Sequence, residues 1–252
     1  MSRSILVTRP AARTDDLAGL LDARGFAAVV VPTVEIDTTS TRDELDAMLE
    51  SLDGADWLVL TSANGARALA ARIAATGHRL PDALRVAAVG PATAGALRAA
   101  GIGVDHVPDA YLTAAIADGL SDVRDRRVVL ARAEEATPEL RDALVARGAR
   151  IEEVVAYRTV EGPARSRDPL RAALHRDLAG VAFTSGSTVR GLLRLASAVD
   201  RGRARCIPAF CIGPVTAKQA QRSGFDIAAI AAEHTATGLA DAIADHFPRE
   251  DR

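Results

Sequence analysis

The chain has 252 residues, of which 48% are hydrophobic and 25% are charged. These values are typical of a globular protein with one or two buried cores. The formal net charge is -2, so no overall basic field favours a nucleic-acid partner. No apolar run approaches the roughly 20 residues of a membrane-spanning helix, and the N-terminal residues lack the apolar segment of a signal peptide. We therefore expect neither a membrane nor a nucleic-acid partner.

Cysteine and histidine usage argues against a metal centre. Cys206 and Cys211 are the only cysteines and do not form a zinc-binding or redox motif, which favours a reducing cytoplasmic location. The five histidines are scattered, without the spacing of metal ligands. We expect no metal and no other cofactor.

Short apolar runs alternate with longer amphipathic stretches along the chain. The predicted strands are residues 5–8, 27–31, 57–61, 85–89, 106–107, 128–131, 151–157, 180–184, 209–212 and 226–229. The predicted helices include residues 14–24, 64–75, 93–100, 138–147, 187–198 and 215–223, several of which end at a glycine. This alternation predicts an α/β protein with parallel sheets flanked by helices, in which ligands bind beyond the carboxyl ends of the strands.

The sequence repeats itself at an offset of 123 residues. Residues 57–69 match residues 180–192, residues 88–102 match 211–225, and Arg9 falls on Arg132. A unit of this length is too long for a solenoid repeat and has the size of a small domain. Two similar domains with the same polar turns suggest a ligand held between two loop rims.

In each copy a Thr-Ser pair stands where a strand ends and a helix begins. Free backbone N–H groups and the positive end of the helix dipole meet at such a terminus, which binds a carboxylate or phosphate without a basic side chain. The candidate ligand-binding residues are Thr61, Ser62, Ala63, Asn64, Ser185, Gly186 and Ser187. The two serines are equally well explained as simple helix caps.

Gly-Pro turns follow the next strand of each copy and add Gly90, Thr93, Gly213 and Thr216 to the candidate binding residues. Neither turn has the spacing of a P-loop, and neither Thr-Ser turn is the nucleophile elbow of a serine hydrolase. Arg9 and Arg132 end matched strands, where each can bind a carboxylate or form a surface salt bridge.

Two extended polar stretches, residues 32–41 and 154–163, interrupt the alternation of strands and helices. They are interpreted either as a two-stranded connector between domains or as ordinary strands and loops. Tyr157 lies in the second stretch. Its phenol can donate a hydrogen bond or proton to a ligand, or it can simply be a half-buried strand aromatic.

The order and spacing of these segments resemble the uroporphyrinogen-III synthase family over nearly the whole chain. The matching segments include LVTRP, LVLTSANGARAL, AVGPATAGALRAAG, VVAYRT, VAFTSGSTVRGLL and CIGPVTAKQAQRSGF. The resemblance implies two similar flavodoxin-like α/β domains joined by a two-stranded β-ladder hinge. It places residues 1–33 and 162–252 in a first, discontinuous domain, residues 41–153 in a second, and residues 34–40 and 154–161 in the connector.

The resemblance also implies a reaction. The family cyclises hydroxymethylbilane, a linear tetrapyrrole polycarboxylate, and inverts its ring D through a spiro intermediate. The products are uroporphyrinogen III and water, and the site is the cleft between the domains. The family is a cofactor-independent lyase of heme biosynthesis, acts as a monomer, and is expected to receive its substrate by transient handover from hydroxymethylbilane synthase. Such a reaction demands orientation and electrostatic stabilisation more than strong acid–base chemistry.

Several residues match positions of the family's site. Tyr157 corresponds to the connector tyrosine that assists loss of the substrate hydroxyl, and Ser62, Ser185 and Thr216 correspond to hydroxyls that line the cleft. One segment departs from the family pattern, since RAEEATPEL follows the strand that ends near Arg132. The missing glycines weaken the expectation of a ligand contact there, and Glu134 and Glu135 would repel a polyanion if they faced it.

Two other functions remain compatible with these residues. The first is a non-catalytic two-domain binding or sensor protein for an anionic tetrapyrrole, which would keep the cleft without the reaction. The second is a two-domain binder of a sugar or phosphate.

Overall fold

A computed structural model of the chain describes residues 2–9, 17–108 and 113–247, without the side chains of residues 113–115. The strands are β1 (Ser4–Val7), β2 (Ala27–Val30), β3 (Val34–Asp37), β4 (Trp57–Leu60), β5 (Arg85–Ala88), β6 (Arg127–Ala133), β7 (Arg150–Glu161), β8 (Gly180–Phe183), β9 (Ala209–Cys211) and β10 (Ile227–Ile230). The helices are α1 (Leu17–Asp22), α2 (Arg42–Glu50), α3 (Ala63–Thr76), α4 (Pro91–Ala99), α5 (Thr113–Gly119), α6 (Glu139–Ala146), α7 (Arg167–Leu174), α8 (Gly186–Leu195), α9 (Ala198–Arg205), α10 (Pro214–Arg222) and α11 (Ala236–His246).

The chain divides into two compact units, which we call the first and second units. The first unit comprises Met1–Glu35 and Val160–Arg252, and the second comprises Ile36–Thr159. The first sheet has the strand order β10-β9-β8-β1-β2, and the second has the order β3-β7-β6-β4-β5. The central pairs β1–β8 and β4–β6 are parallel. The predicted α/β class with parallel sheets is confirmed, whereas the hinge role of residues 34–40 and 154–161 stays a prediction.

Each sheet combines strands from both copies of the sequence repeat. In the first sheet, β1 and β2 of the first copy join β8, β9 and β10 of the second copy. In the second sheet, β6 and β7 of the second copy join β4 and β5 of the first copy. A compact unit therefore does not correspond to one copy of the repeat, because each unit combines part of the first copy with part of the second. Equivalent strands of the two copies occupy equivalent positions in the two sheets.

The strands are apolar on both sides because helices cover both faces of each sheet. All four residues of β4 and of β8 are buried. In β1, Ile5 and Val7 belong to one buried cluster and Leu6 belongs to another, as expected for side chains that alternate between two faces. The polar ends of these strands are consequently the parts of the sheet that can meet a ligand.

Some predicted elements differ from the structure. Residues 106–107 do not form a regular strand, since His106 makes only an isolated bridge with Ala87. The helix predicted over residues 14–24 is confirmed by α1 (Leu17–Asp22). Residues 14–16 of the predicted range lie outside the described part of the chain. The glycines expected to end helices at positions 25, 77, 101, 148 and 224 all have left-handed backbone angles, with φ from 73° to 86°. Within the described ranges, no helix is both long and apolar enough to span a bilayer.

Candidate functional site

In each unit a Thr-Ser turn follows a fully buried strand, β4 or β8, and starts the next helix. Ser62 is the N-cap of α3 and accepts a hydrogen bond from the Gly65 N–H at 3.1 Å. Ser185 is the N-cap of α8 and accepts one from the Thr188 N–H at 3.3 Å. The cap interpretation of both serines is therefore correct. It does not exclude a binding role, because both side chains are half-buried and remain accessible.

The residues next to the capping serines complete the turns. In the second unit, Thr61, Ala63 and Asn64 are half-buried, as are Gly186 and Ser187 in the first unit. Ser187 shares a hydrogen bond of 2.8 Å with Ser185 between their Oγ atoms. Each turn therefore presents hydroxyl or amide groups beside the first backbone N–H groups of a helix, a combination suited to an anion.

The Gly-Pro turns present backbone more than side chains. Gly90 and Gly213 are the N-caps of α4 and α10, and each is followed by proline at the first helical position. The side chains of Thr93 and Thr216 are almost fully buried, at 3% and 5% exposure. Both side chains are therefore packed inside the molecule, and the groups of these turns that can reach a ligand are backbone N–H groups.

The two matched arginines differ. Arg132 is 6% exposed, and its Nη1 and Nη2 donate at 2.8 Å to the Thr137 carbonyl oxygen and to Glu153 Oε2. Arg9 is half-buried and makes no ion pair with a described residue. A substrate contact by Arg132 would require its pair with Glu153 to break.

The acidic segment after Arg132 is partly neutralised. Glu134 Oε1 lies 2.8 Å from Arg158 Nε, and the Arg158 Nη2 atom lies 3.1 Å from Glu44 Oε1. The hydrogen bonds to the two carboxylates raise the pKa of the Arg158 guanidinium above its usual value, and the bond to Glu134 contributes more than the bond to Glu44. The negative charge of Glu134 is therefore partly compensated within the second unit, since Arg158 is shared with Glu44.

Tyr157 lies in β7 and is 8% exposed. Its side chain belongs to a buried cluster of the second unit that also contains Leu60 and Ala131. The Tyr157 carbonyl oxygen accepts from the Glu134 N–H at 3.2 Å, but the phenol has no hydrogen-bond partner among the described residues. The ring is thus held by packing while its O–H remains free to donate.

Metal or thiolate chemistry finds little support in the described residues. They contain no group of three His, Cys, Asp or Glu side chains able to hold a metal ion. Cys211 is buried, and desolvation raises the pKa of its thiol to about 12. Cys206 is exposed. A buried thiol with so high a pKa is protonated at neutral pH and is a poor nucleophile.

The sequence interpretation missed two arginines beside the capping serines, Arg67 on α3 and Arg190 on α8. Each stands five residues after its serine, so the two occupy matched positions of the repeat. The repeat itself was the signal that could have found them. It also missed His234, whose ring lies against Gly213, 3.2 Å from the place a β-carbon would occupy.

Comparisons with known proteins agree with this architecture. The model of a family described as uroporphyrinogen-III synthase HemD matches residues 15–241. The uroporphyrinogen-III synthase of Synechococcus elongatus is 31% identical over 250 residues, covering 96% of this chain and 95% of that protein. In fold, the chain is similar to a mutant uroporphyrinogen III synthase from Thermus thermophilus (TM-score 0.63, 21% identity, 99% and 100% of the two chains covered). It is also similar to the uroporphyrinogen-III synthetase of Helicobacter pylori (TM-score 0.64, 16% identity, 96% and 99% covered).

Proposed function

Since the chain belongs to the uroporphyrinogen-III synthase family, we propose that its matched turns bind the carboxylates of hydroxymethylbilane and orient the chain ends for cyclisation. The function is that of a uroporphyrinogen-III synthase, a lyase of porphyrin biosynthesis. The proposed reaction closes hydroxymethylbilane with inversion of ring D to give uroporphyrinogen III and water.

One observation carries this proposal: each unit places a serine-capped helix N-terminus at the carboxyl end of a fully buried strand. Such a terminus has up to four N–H groups without helical partners, and one of them is used by the cap. The remaining N–H groups attract carboxylates. A second helix N-terminus with an N-cap glycine follows the next strand in both units. The substrate's many carboxylates match this repeated arrangement of donors.

The chemistry needs positioning at the reacting carbons. Loss of the substrate hydroxyl leaves an electrophilic azafulvene on ring A, and the substituted carbon of ring D attacks it to form the spiro intermediate. That intermediate fragments and recloses with ring D reversed. Uncatalysed closure leads to the uninverted isomer I. Binding energy from carboxylates remote from the reacting atoms can hold ring D in the geometry that favours the spiro route.

Tyr157 is proposed to assist departure of the hydroxyl. Its phenol is held in an apolar cluster and has no competing acceptor among the described residues. An O–H donor in such a setting can hydrogen-bond to a leaving oxygen and supply its proton. We propose that Tyr157 assists the reaction without being indispensable, because the orientation of ring D, and not the phenol, decides which isomer forms.

The proposed binding set comprises Arg9, Thr61, Ser62, Ala63, Asn64, Gly90, Thr93, Ser185, Gly186, Ser187, Gly213 and Thr216. Burial assigns Thr93 and Thr216 an indirect part, as packed residues in the first turns of α4 and α10. Arg132 is retained only as a group that becomes available if its ion pair with Glu153 opens.

The setting of the reaction is also part of the proposal. Two free thiols fit a reducing cytoplasm. We infer that the protein acts as a monomer and takes hydroxymethylbilane from hydroxymethylbilane synthase by transient handover. Sedimentation of the two enzymes, alone and mixed, tests both statements.

A coupled assay tests the function. Hydroxymethylbilane is generated in situ and supplied to the purified protein without added cofactor, and the oxidised products are separated into uroporphyrin isomers. Predominance of isomer III supports the cyclase. Isomer I alone, formed at the rate measured without protein, would overturn it and would favour a silent tetrapyrrole binder if the folded protein still quenched or shifted porphyrin fluorescence.

A further inference from the structure

We propose that Arg67 and Arg190 are substrate-binding residues, each placing a guanidinium at the mouth of a capped helix to hold a carboxylate side arm of the tetrapyrrole. This inference rests on the proposed function and names the cationic part of the same site. It is carried by the repeated position of the two residues, by the geometry of each guanidinium and by the charge around it.

The two arginines occupy equivalent places on equivalent helices. Arg67 follows Ser62 in TSANGAR, and Arg190 follows Ser185 in TSGSTVR. A helical side chain leans toward the N-terminus of its helix and covers the preceding turn. Both side chains are therefore directed toward the helix end at which the capping serine lies.

In the first unit, a buried carboxylate fixes the guanidinium of Arg190. Both Nε and Nη2 donate to the same oxygen, Glu161 Oε1, and the Nε bond measures 2.9 Å. The Glu161 side chain is only 5% exposed. Because one edge of the guanidinium is used, Nη1 is left without a hydrogen bond to a described residue. It points to the helix mouth, since it lies 3.3 Å from where a β-carbon of Gly186 would be.

In the second unit, Arg67 is placed by a local amide. Its Nη1 donates to Asn64 Oδ1 at 3.0 Å, and Asn64 belongs to the first turn of α3. Arg67 is exposed and forms no ion pair with any residue the structure describes. The asparagine holds the guanidinium at the helix mouth without neutralising it.

Charge counting gives a positive excess around both arginines. Glu161 is shared by two arginines, because Arg194 Nη2 approaches its Oε2 at 3.4 Å. Two guanidinium groups against one carboxylate leave one net positive charge in the cluster of Arg190, Glu161 and Arg194. At the other mouth the charge of Arg67 is unopposed by the neutral Asn64. Arginine donates well-directed hydrogen bonds to carboxylates, and the helix dipole adds to its attraction for an anion.

Glu161 is a positioning residue in this arrangement. It is expected to touch Arg190 and not the substrate, since its own negative charge opposes a carboxylate. Gly186 has a related part, because a side chain at this position would crowd Arg190 Nη1 and the Gln219 side chain.

The test compares Arg67→Gln and Arg190→Gln with matched controls. The controls Arg98→Gln and Arg222→Gln remove the same charge from the last turns of α4 and α10. For each variant, KM and kcat for hydroxymethylbilane are measured at several ionic strengths. We expect KM to rise about tenfold in each test variant, as for loss of one charge-assisted hydrogen bond. We expect kcat to stay within about twofold, because this binding is common to ground and transition states.

A second readout separates binding from a structural effect. Salt screens an exposed charge–carboxylate contact, so KM of the unaltered protein should rise more steeply with ionic strength than KM of either test variant. In the control variants Arg98→Gln and Arg222→Gln, KM should rise with ionic strength as steeply as in the unaltered protein. Unchanged KM and slope in Arg67→Gln and Arg190→Gln would overturn the inference while leaving the cyclase assignment intact. Absence of isomer III from the unaltered protein would overturn the proposed function itself, so the two failures are distinct.

Discussion

Ser62 and Ser185 occupy the same N-cap position of two matched helices, and each accepts a hydrogen bond from the backbone N–H three residues further on. The two serines belong to different compact units. Each stands directly after a fully buried strand of its sheet. The two units therefore contain nearly identical capped helix N-termini, the feature on which the proposed binding of substrate carboxylates rests.

The caps themselves can be separated from substrate binding. Ser197 caps α9, accepting from the Asp200 N–H at 3.2 Å, and its hydroxyl also donates to the buried Asp200 carboxylate at 2.7 Å; α9 does not follow a strand. Loss of a serine cap costs about 1 kcal/mol, so Ser185→Ala should lower the free energy of unfolding by about this amount in urea titrations, and Ser197→Ala by more, because a hydrogen bond to a buried carboxylate is lost as well. Only Ser185→Ala should also raise KM for hydroxymethylbilane. Equal KM values in both variants would contradict a binding role for the Thr-Ser turn.

Tyr157→Phe should reduce turnover without abolishing it. The substitution keeps the ring in its buried cluster and removes only the phenol O–H. A neutral hydrogen bond contributes about 0.5–1.5 kcal/mol, so kcat should fall roughly two- to tenfold with an unchanged melting temperature. The isomer III fraction should remain high, since orientation is retained. Complete loss of activity in a folded Tyr157→Phe protein would make the phenol indispensable and contradict our assignment.

Gly191 should tolerate no side chain. A β-carbon on this residue of α8 would overlap the carbonyl oxygen of Thr33, whose hydroxyl donates to the Thr188 carbonyl at 2.8 Å. Gly191→Ala should therefore lower the free energy of unfolding by about 3 kcal/mol, as an overpacked position does. Gly95→Ala is the control, because Gly95 lies within α4 with no atom near its absent β-carbon. It should gain about 0.5–1 kcal/mol, and similar effects of the two substitutions would be incompatible with this packing.

Asp46 should make the protein sensitive to acid. The hydrogen bonds from Arg72, at 2.7 and 2.6 Å, hold the pKa of the Asp46 carboxyl below its usual value. A carboxyl with a lowered pKa stabilises the fold above its unfolded-state pKa, near 4. This contribution is lost as the pH falls through the folded-state pKa.

Unfolding free energies measured between pH 5 and pH 2 check this prediction. The unaltered protein should lose more stability over this range than Asp46→Asn, which cannot titrate at that position. Glu50→Gln, at the exposed end of the same helix, should behave like the unaltered protein. A steeper loss in Asp46→Asn than in the unaltered protein would contradict the role of the pair.

The cysteines should be dispensable for the reaction. Burial raises the pKa of the Cys211 thiol to about 12, whereas Cys206 is exposed. Iodoacetamide at pH 7.5 reacts with thiolates, so mass spectrometry should find one modification, at Cys206. Activity should survive, and Cys206→Ser should remove the modification. Rapid labelling of Cys211, or loss of activity on labelling of Cys206, would argue for a thiol in the site.

Local structure was largely predictable from the sequence because it depends on short-range patterns. The run WLVL predicted a buried strand, and β4 is buried at all four positions. Glycines after amphipathic stretches predicted helix ends, and their left-handed φ angles agree. His106 is the exception, since so short an apolar run gives only an isolated bridge.

The long-range arrangement could not be read from the repeat. Sequence similarity shows that β1 and β6 are equivalent, but it does not say which strands they pair with. Each pairs with the strand that precedes the Thr-Ser turn of the other copy, β8 for β1 and β4 for β6. The exchange of halves depends on pairing across more than 150 residues in the first unit, which no local pattern records.

Site chemistry was predictable only where neighbours along the chain decide it. Each capping serine accepts its hydrogen bond from the residue three positions further along the chain. The sequence predicted this cap as one of two interpretations. Arg9 and Arg132 look equivalent in sequence, but among the residues that the structure describes only Arg132 has an acidic partner, Glu153, on the adjacent strand β7. Thr93 and Thr216 are buried because the third residue of each helix turns toward the core. Such differences arise from packing between distant segments.

The isomer composition produced by the unaltered protein tests the central claim most directly. Increasing amounts of purified protein are mixed with a constant supply of hydroxymethylbilane, and the fraction of uroporphyrin isomer III is measured after oxidation. We predict that this fraction rises with protein concentration until isomer III predominates, because enzymic closure overtakes the uncatalysed route to isomer I. A product that stays isomer I at every concentration of folded protein would contradict the account.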